Sequence, residues 1–142
     1  SKIRKSIKIL QGILFLFLIS ISSPANSGQI GSGELKLANS TVKHFIEYIK
    51  TKKGKPLVFF ITVDGRDSLL MYCPYSQCLD QNFKRDLKKC KSRFKKECKV
   101  FARKRTIKWQ NGINKGNKES RFGKSMNDSE FRVRLKELGF LE

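Results

Sequence analysis

The sequence predicts an α+β fold: a small disulfide-stapled domain in which a β-hairpin and a further strand are packed by two helices, followed by a short C-terminal helix. Three observations carry that prediction. Helical-period and strand-type apolar runs alternate along the chain. Four cysteines, an even number, fall within a short segment. The chain has 142 residues, which suits one domain with a small appendage.

The N-terminus reads as a secretory signal peptide over residues 1–27. Lys2, Arg4, Lys5 and Lys8 precede the uncharged run Ile9 to Ile21, and the small residues Ser23, Ala25 and Ser27 follow, placing cleavage after Ala25 or Ser27. A retained anchor would need about 20 apolar residues, more than this core supplies. Residues 28–33, GQIGSG, have no periodicity and read as a flexible leader into a domain spanning 34–109.

Within that domain, Ser40 or Thr41 is placed to cap a helix whose apolar residues Val42, Phe45, Ile46 and Ile49 form one stripe. KKGK at 52–55 ends it, and the β-branched and aromatic run Leu57 to Val63 predicts a buried strand. Asp64 and Gly65 supply a turn to a second strand, Ser68 to Cys73. Phe83, Leu87, Cys90 and Phe94 recur at helical steps, predicting a helix from Asp80. Cys98 to Ala102 predicts a further strand, which Thr106 to Trp109 extends or partners. Residues 110–125 are polar and read as a linker. The segment 126–142 predicts a last helix capped by Asp128 or Ser129 and stopped at Gly139. Its face of Phe131, Leu135 and Leu138 is too short to be stable alone and must dock on the domain or on a partner.

Cys73, Cys78, Cys90 and Cys98 are separated by 4, 11 and 7 residues. Three pairings are open, of which Cys73 with Cys78 and Cys90 with Cys98 is favoured. Zinc is the rival, but structural zinc sites use close C-x2-4-C knuckles, and only one interval here fits. No metal and no cofactor is therefore expected.

Charge is the most unusual property. The formal net charge is +19, from 31 Lys+Arg against 12 Asp+Glu, and Lys84 to Lys108 alone holds 13 basic residues against Asp86 and Glu97. Lys84, Arg85, Lys88, Lys89, Lys91, Arg93, Lys95 and Lys96 surround the apolar stripe of the second helix, and Arg103, Lys104 and Arg105 follow it. Such density attracts polyanions by counterion release. In a cell envelope those are an anionic membrane surface, lipopolysaccharide or another anionic glycan, with Lys and Arg as phosphate partners. Phe94, Phe101 and Trp109 would add base stacking for nucleic acid if the leader stayed in place, or else belong to the core. A basic face that only keeps the protein soluble is the plainest alternative.

An enzyme is not expected. The chain lacks a Gly-rich phosphate loop, a G-x-S-x-G elbow and a histidine pair. His44 is the sole histidine, and Asp64 and Asp67 straddle a turn where Asp bonds the local backbone. The competing reading is an envelope interaction protein whose C-terminal helix docks a partner through Phe131, Leu135 and Leu138.

YCPYSQC at 72–78, the helix ending in Cys90, and ECKVFARKRTIKW at 97–109 followed by Asn111 and Gly112 resemble a module of small uncharacterised exported proteins of Gram-negative bacteria. The resemblance implies a disulfide-bonded α+β domain, periplasmic or secreted, and implies no activity. DSEFRVRLKELGF at 128–140 is similar to a short C-terminal helical module of bacterial envelope proteins, which implies a role in association.

Overall fold

In the computed structural model, residues 29–74, 78 and 83–142 are described, and the signal-peptide expectation lies outside them. Helix α1 spans Asn39–Ile49, followed by strands β1 (Lys55–Thr62) and β2 (Ser68–Cys73), helix α2 (Lys84–Phe94), strands β3 (Cys98–Arg103) and β4 (Thr106–Ile107), and helix α3 (Asp128–Glu137). The sheet is antiparallel throughout, in the order β2-β1-β3-β4. Among the described residues no helix is long and apolar enough to cross a membrane.

β1 is central and covered on both faces, which explains why its sequence is a continuous apolar run rather than an alternating one. Val58 and Phe60 pack with Val100, Phe83 and the cysteines of α2 and β3 on one side. Phe59 and Ile61 point the other way, into the larger core under α1 and α3. β2 and β3 lie on opposite sides of β1, so α2, which joins them, crosses the face of the central strand.

Phe45 organises the larger core. Its ring sits edge-on to Phe59 and Phe101 at 5.4 Å each and to Phe122 at 5.3 Å, with Phe131 at 6.3 Å. These are the T-shaped arrangements that aromatic quadrupoles favour.

Both disulfides follow the favoured pairing, Cys73 to Cys78 and Cys90 to Cys98, with Cα separations of 5.8 and 6.1 Å. The second clips α2 to the start of β3. With all four sulfurs paired, no thiolates remain for the alternative zinc site. Disulfides of this kind suit an oxidising compartment.

Three segments depart from the sequence expectation. The leader, 28–33, is not a free spacer where it is described: Ile30 bridges Val100, Ser32 bridges Gln110, and Gly31 N–H donates to the Val100 carbonyl at 3.1 Å. Gly31 lies flat against the Trp109 ring, where an added Cβ would come within 2.0 Å of it, and the Trp109 indole donates to the Gly33 carbonyl at 2.8 Å. The reason is that backbone bonds and a missing side chain, not apolar periodicity, dock this strip.

The 110–125 segment is no linker either. Asn114 is 3% exposed and its amide donates to the Ile107 and Trp109 carbonyls at 3.2 and 2.6 Å, while the Ser120 hydroxyl donates to its Oδ1. Phe122 is fully buried against Phe45. A polar side chain that satisfies backbone carbonyls pins this stretch to the core, so its composition misleads.

The tail, third, belongs to the same domain. Phe131 and Leu135 are fully buried and Leu138 packs against them. Phe140 accepts from the Leu37 amide at 2.9 Å, and Asn111 donates to the Leu138 carbonyl at 2.7 Å. The expected partner-docking face is thus occupied by the chain's own core. Asn127, rather than Asp128 or Ser129, caps α3 by accepting from the Glu130 amide at 2.9 Å. Likewise α1 begins after Ala38 without a side-chain cap, and Thr41 donates instead to the Gly65 carbonyl at 2.8 Å.

Candidate polyanion interface

Helix α2 sorts its residues by the 3.6 period. Cys90 is buried, Leu87 and Phe94 are half-buried against the sheet, and Lys84, Arg85, Lys88, Lys89, Lys91 and Arg93 are exposed. Lys95 ends the helix in a left-handed conformation, φ 54°, and donates its N–H to the Lys91 carbonyl at 2.8 Å. Asp86 is the helix's one acidic residue.

This pattern opposes helix stability. Lys84 and Lys88, Arg85 and Lys89, and Lys89 and Arg93 are like-charged i, i+4 pairs, each unfavourable by about 0.2–0.5 kcal/mol. Lys84 and Arg85 also sit at the positive end of the helix dipole, whereas Lys91 and Arg93 complement its negative end. Burial of Cys90 and its disulfide hold the helix against that repulsion.

The basic residues predicted after α2 fall into different environments. The Lys96 ammonium donates to Asp67 at 2.8 Å and pairs with Asp64 at 2.9 Å, so its charge is already answered. Arg103 stacks over Phe83 at 5.5 Å, and Arg93 over Phe94 at 5.5 Å. The Arg105 Nε–H donates to the Ile49 carbonyl at 3.3 Å. Lys104 and Arg105 form the two-residue turn between β3 and β4, with Lys104 at φ 52°. A left-handed lysine there costs on the order of 1–3 kcal/mol relative to unstrained backbone.

Three surface concavities meet at Leu57, the residue left over where the β1–β2 register shifts. One, about 790 Å³, runs beside Lys84, Arg85 and Lys88 of α2. A second, about 320 Å³, holds Lys55, Lys104, Arg105 and Arg121. The third, about 300 Å³, adds Arg103 and Lys108. Asp86 is the one acid lining any of them among the described residues. The predicted basic face thus continues into a groove across one end of the sheet, where β1 starts and the β3–β4 turn lies. Lys55 and Arg121 carry no local signal for this role: β1–β3 pairing and a bridge between Thr106 and Arg121 bring them there.

The aromatic residues considered for base stacking are not available for it in the main. Phe101 and Trp109 are buried at 0% and 2% exposure, and Phe94 is half-buried in the core beneath α2. His44 Nδ1 lies 3.0 Å from the Ser68 hydroxyl.

Asp64 and Asp67 act within the turn. Asp64 accepts from the Thr62 hydroxyl at 2.7 Å and the Arg66 amide at 3.1 Å. The Thr62 hydrogen bond first, and Lys96 next, lower its pKa from 3.8 to about 2. Because the folded value lies below the unfolded one, its stabilisation is complete above 3.8 and is lost as pH falls toward about 2. Urea midpoints measured across that window should fall for the native chain and fall less for Asp64→Asn; equal slopes would remove Asp64 from the account.

No family model, curated protein or solved structure matches this chain.

Proposed function

We propose that this protein is an exported, non-enzymatic binding protein that presents the cationic face of α2 and the adjoining groove to an anionic component of the cell envelope, a lipid phosphate or an acidic glycan. The observation that carries this reading is the set of exposed like-charged pairs on α2, held in place at a cost to the helix that solubility alone does not require. Two disulfides favour export to the periplasm or beyond, where membrane phosphate and glycan are the abundant polyanions. Nucleic acid is the less favoured ligand, since the buried Phe101 and Trp109 supply no stacking platform.

The test is co-sedimentation with phosphatidylglycerol vesicles and with lipopolysaccharide, over a salt series. Binding should weaken steeply with salt. At about 1 kcal/mol per cation near an anionic surface, Lys88→Glu/Lys89→Glu/Lys91→Glu should lose at least about a hundredfold in affinity with unchanged circular dichroism. Salt-independent binding, or full binding by the triple variant, overturns the proposal.

A further inference from the structure

We infer that the concavity between β1, the β3–β4 turn and Arg121 is a subsite for a single phosphate-monoester group. The inference deepens the polyanion reading, and rests on it for the identity of the larger ligand, but the subsite is built from residues separate from α2.

The pocket concentrates positive charge from three parts of the chain. Lys55 comes from the start of β1, Lys104 and Arg105 from the turn, and Arg121 from the strip that bridges Thr106. No carboxylate lines it among the described residues. Pro56, Leu57 and the Cys73–Cys78 disulfide supply apolar walls, where a charge contact is stronger than in open water. Its volume of about 320 Å³ lies at the low end for small-ligand sites, about 300–1,000 Å³, which suits a headgroup rather than a whole lipid.

Three backbone acceptors around it are already used. The Leu57 carbonyl accepts from the Lys104 amide at 2.9 Å, and the Arg105 carbonyl accepts from the Phe122 amide at 2.8 Å. The Lys104 carbonyl accepts from the Tyr48 hydroxyl at 2.7 Å, and burial raises that phenol's pKa, so it remains a donor. The charged side chains of the pocket, Lys55, Lys104, Arg105 and Arg121, offer a ligand donors. The Arg105 guanidinium is oriented by one bond from Nε to Ile49, leaving its terminal nitrogens for a bidentate contact with oxygen. Cations arriving from three segments suit a tetrahedral dianion better than a planar carboxylate, which one guanidinium fork can satisfy. The left-handed backbone at Lys104 fits the same account, because it sets that side chain at the turn where glycine would be less strained.

The experiment is a titration of the full chain with inorganic phosphate, followed by amide NMR, with acetate as the planar control. Saturable shifts at Thr106 and Arg121 are expected with phosphate and not with acetate. Arg121→Ala should weaken phosphate about tenfold, as loss of a charged hydrogen bond does. Lys55→Ala serves as a second exposed variant should Arg121→Ala disturb the fold. Shifts that do not saturate, that match those with acetate, or that survive both substitutions unchanged overturn the subsite. Shifts lost on charge reversal of α2 but kept in both pocket variants overturn it too. Vesicles holding phosphatidic acid, a monoester, against phosphatidylglycerol, a diester, identify the source. Preference for the former upholds a lipid headgroup, and phosphate binding with no such preference upholds a soluble monoester. If vesicles and glycans fail to bind while the phosphate shifts persist, the polyanion proposal falls and the subsite stands.

Discussion

Deletion of residues 126–142 is expected to abolish cooperative unfolding of the whole protein, not merely to detach an appendage. The segment contributes Phe131, Leu135 and Phe140, each fully buried. Phe131 lies 5.3 Å from Phe122, and Phe140 lies 5.1 Å from Phe101. Removing them opens Phe45, Phe101 and Phe122 to water on one side of the sheet. Truncating a single buried aromatic such as Phe131→Ala costs about 3–5 kcal/mol, a large share of the ~5–15 kcal/mol that holds a domain together. Loss of the whole segment exceeds that reserve. Urea denaturation followed by Trp109 fluorescence and circular dichroism distinguishes the outcomes. Val133, 55% exposed on the same helix, is the control, and Val133→Ser should move the midpoint little. A sharp transition near the native midpoint in the deleted chain would show that the tail is dispensable, and would reopen a partner-docking role for its apolar face.

That result bears on what the sequence could and could not disclose. α1, the β1–β2 hairpin and α2 were legible because their apolar residues repeat with the period of their own elements, and the short Cys intervals favoured local pairing. The segments at 29–33 and 110–125 were not, because they are fixed by contacts that leave no period. Gly31 matters for the side chain it lacks, Asn114 for the carbonyls it satisfies, and Phe122 as one aromatic residue in a polar stretch. The tail posed a different problem: its amphipathic stripe says that it docks, and nothing local says on what. The same division runs through the candidate interface. The exposed cations of α2 follow from helical spacing, whereas Lys55, Arg121 and the shared wall at Leu57 come together only through strand pairing. Arg105 and Lys96 look alike in sequence, yet one is tethered to a backbone carbonyl and the other is paired with carboxylates.

Removal of the Cys90–Cys98 disulfide by Cys90→Ala/Cys98→Ala is expected to destabilise the domain, and to do so more at low salt than at high. Alanine is the suitable replacement because both sites are essentially unexposed, at 0% and 1%, and a hydroxyl there would need a partner. A bridge between residues 8 apart restricts the unfolded chain by about 2–3 kcal/mol. That part does not depend on salt. The bridge also holds α2 against the mutual repulsion of Lys84, Arg85, Lys88, Lys89 and Arg93, and the repulsion is screened as the Debye length shrinks from about 30 Å at 0.01 M to about 3 Å at 1 M. The variant should therefore recover part of its lost stability, and the helical circular dichroism of α2, as salt rises. The native chain should change less. If the proposed polyanion binding holds, vesicle binding by the native chain should run the other way and weaken with salt, so that fold and ligand affinity would respond in opposite directions to the same screening. An equal loss at both salt concentrations would mean that repulsion on α2 does not strain the fold, and would remove the argument that its charge is maintained for something other than solubility.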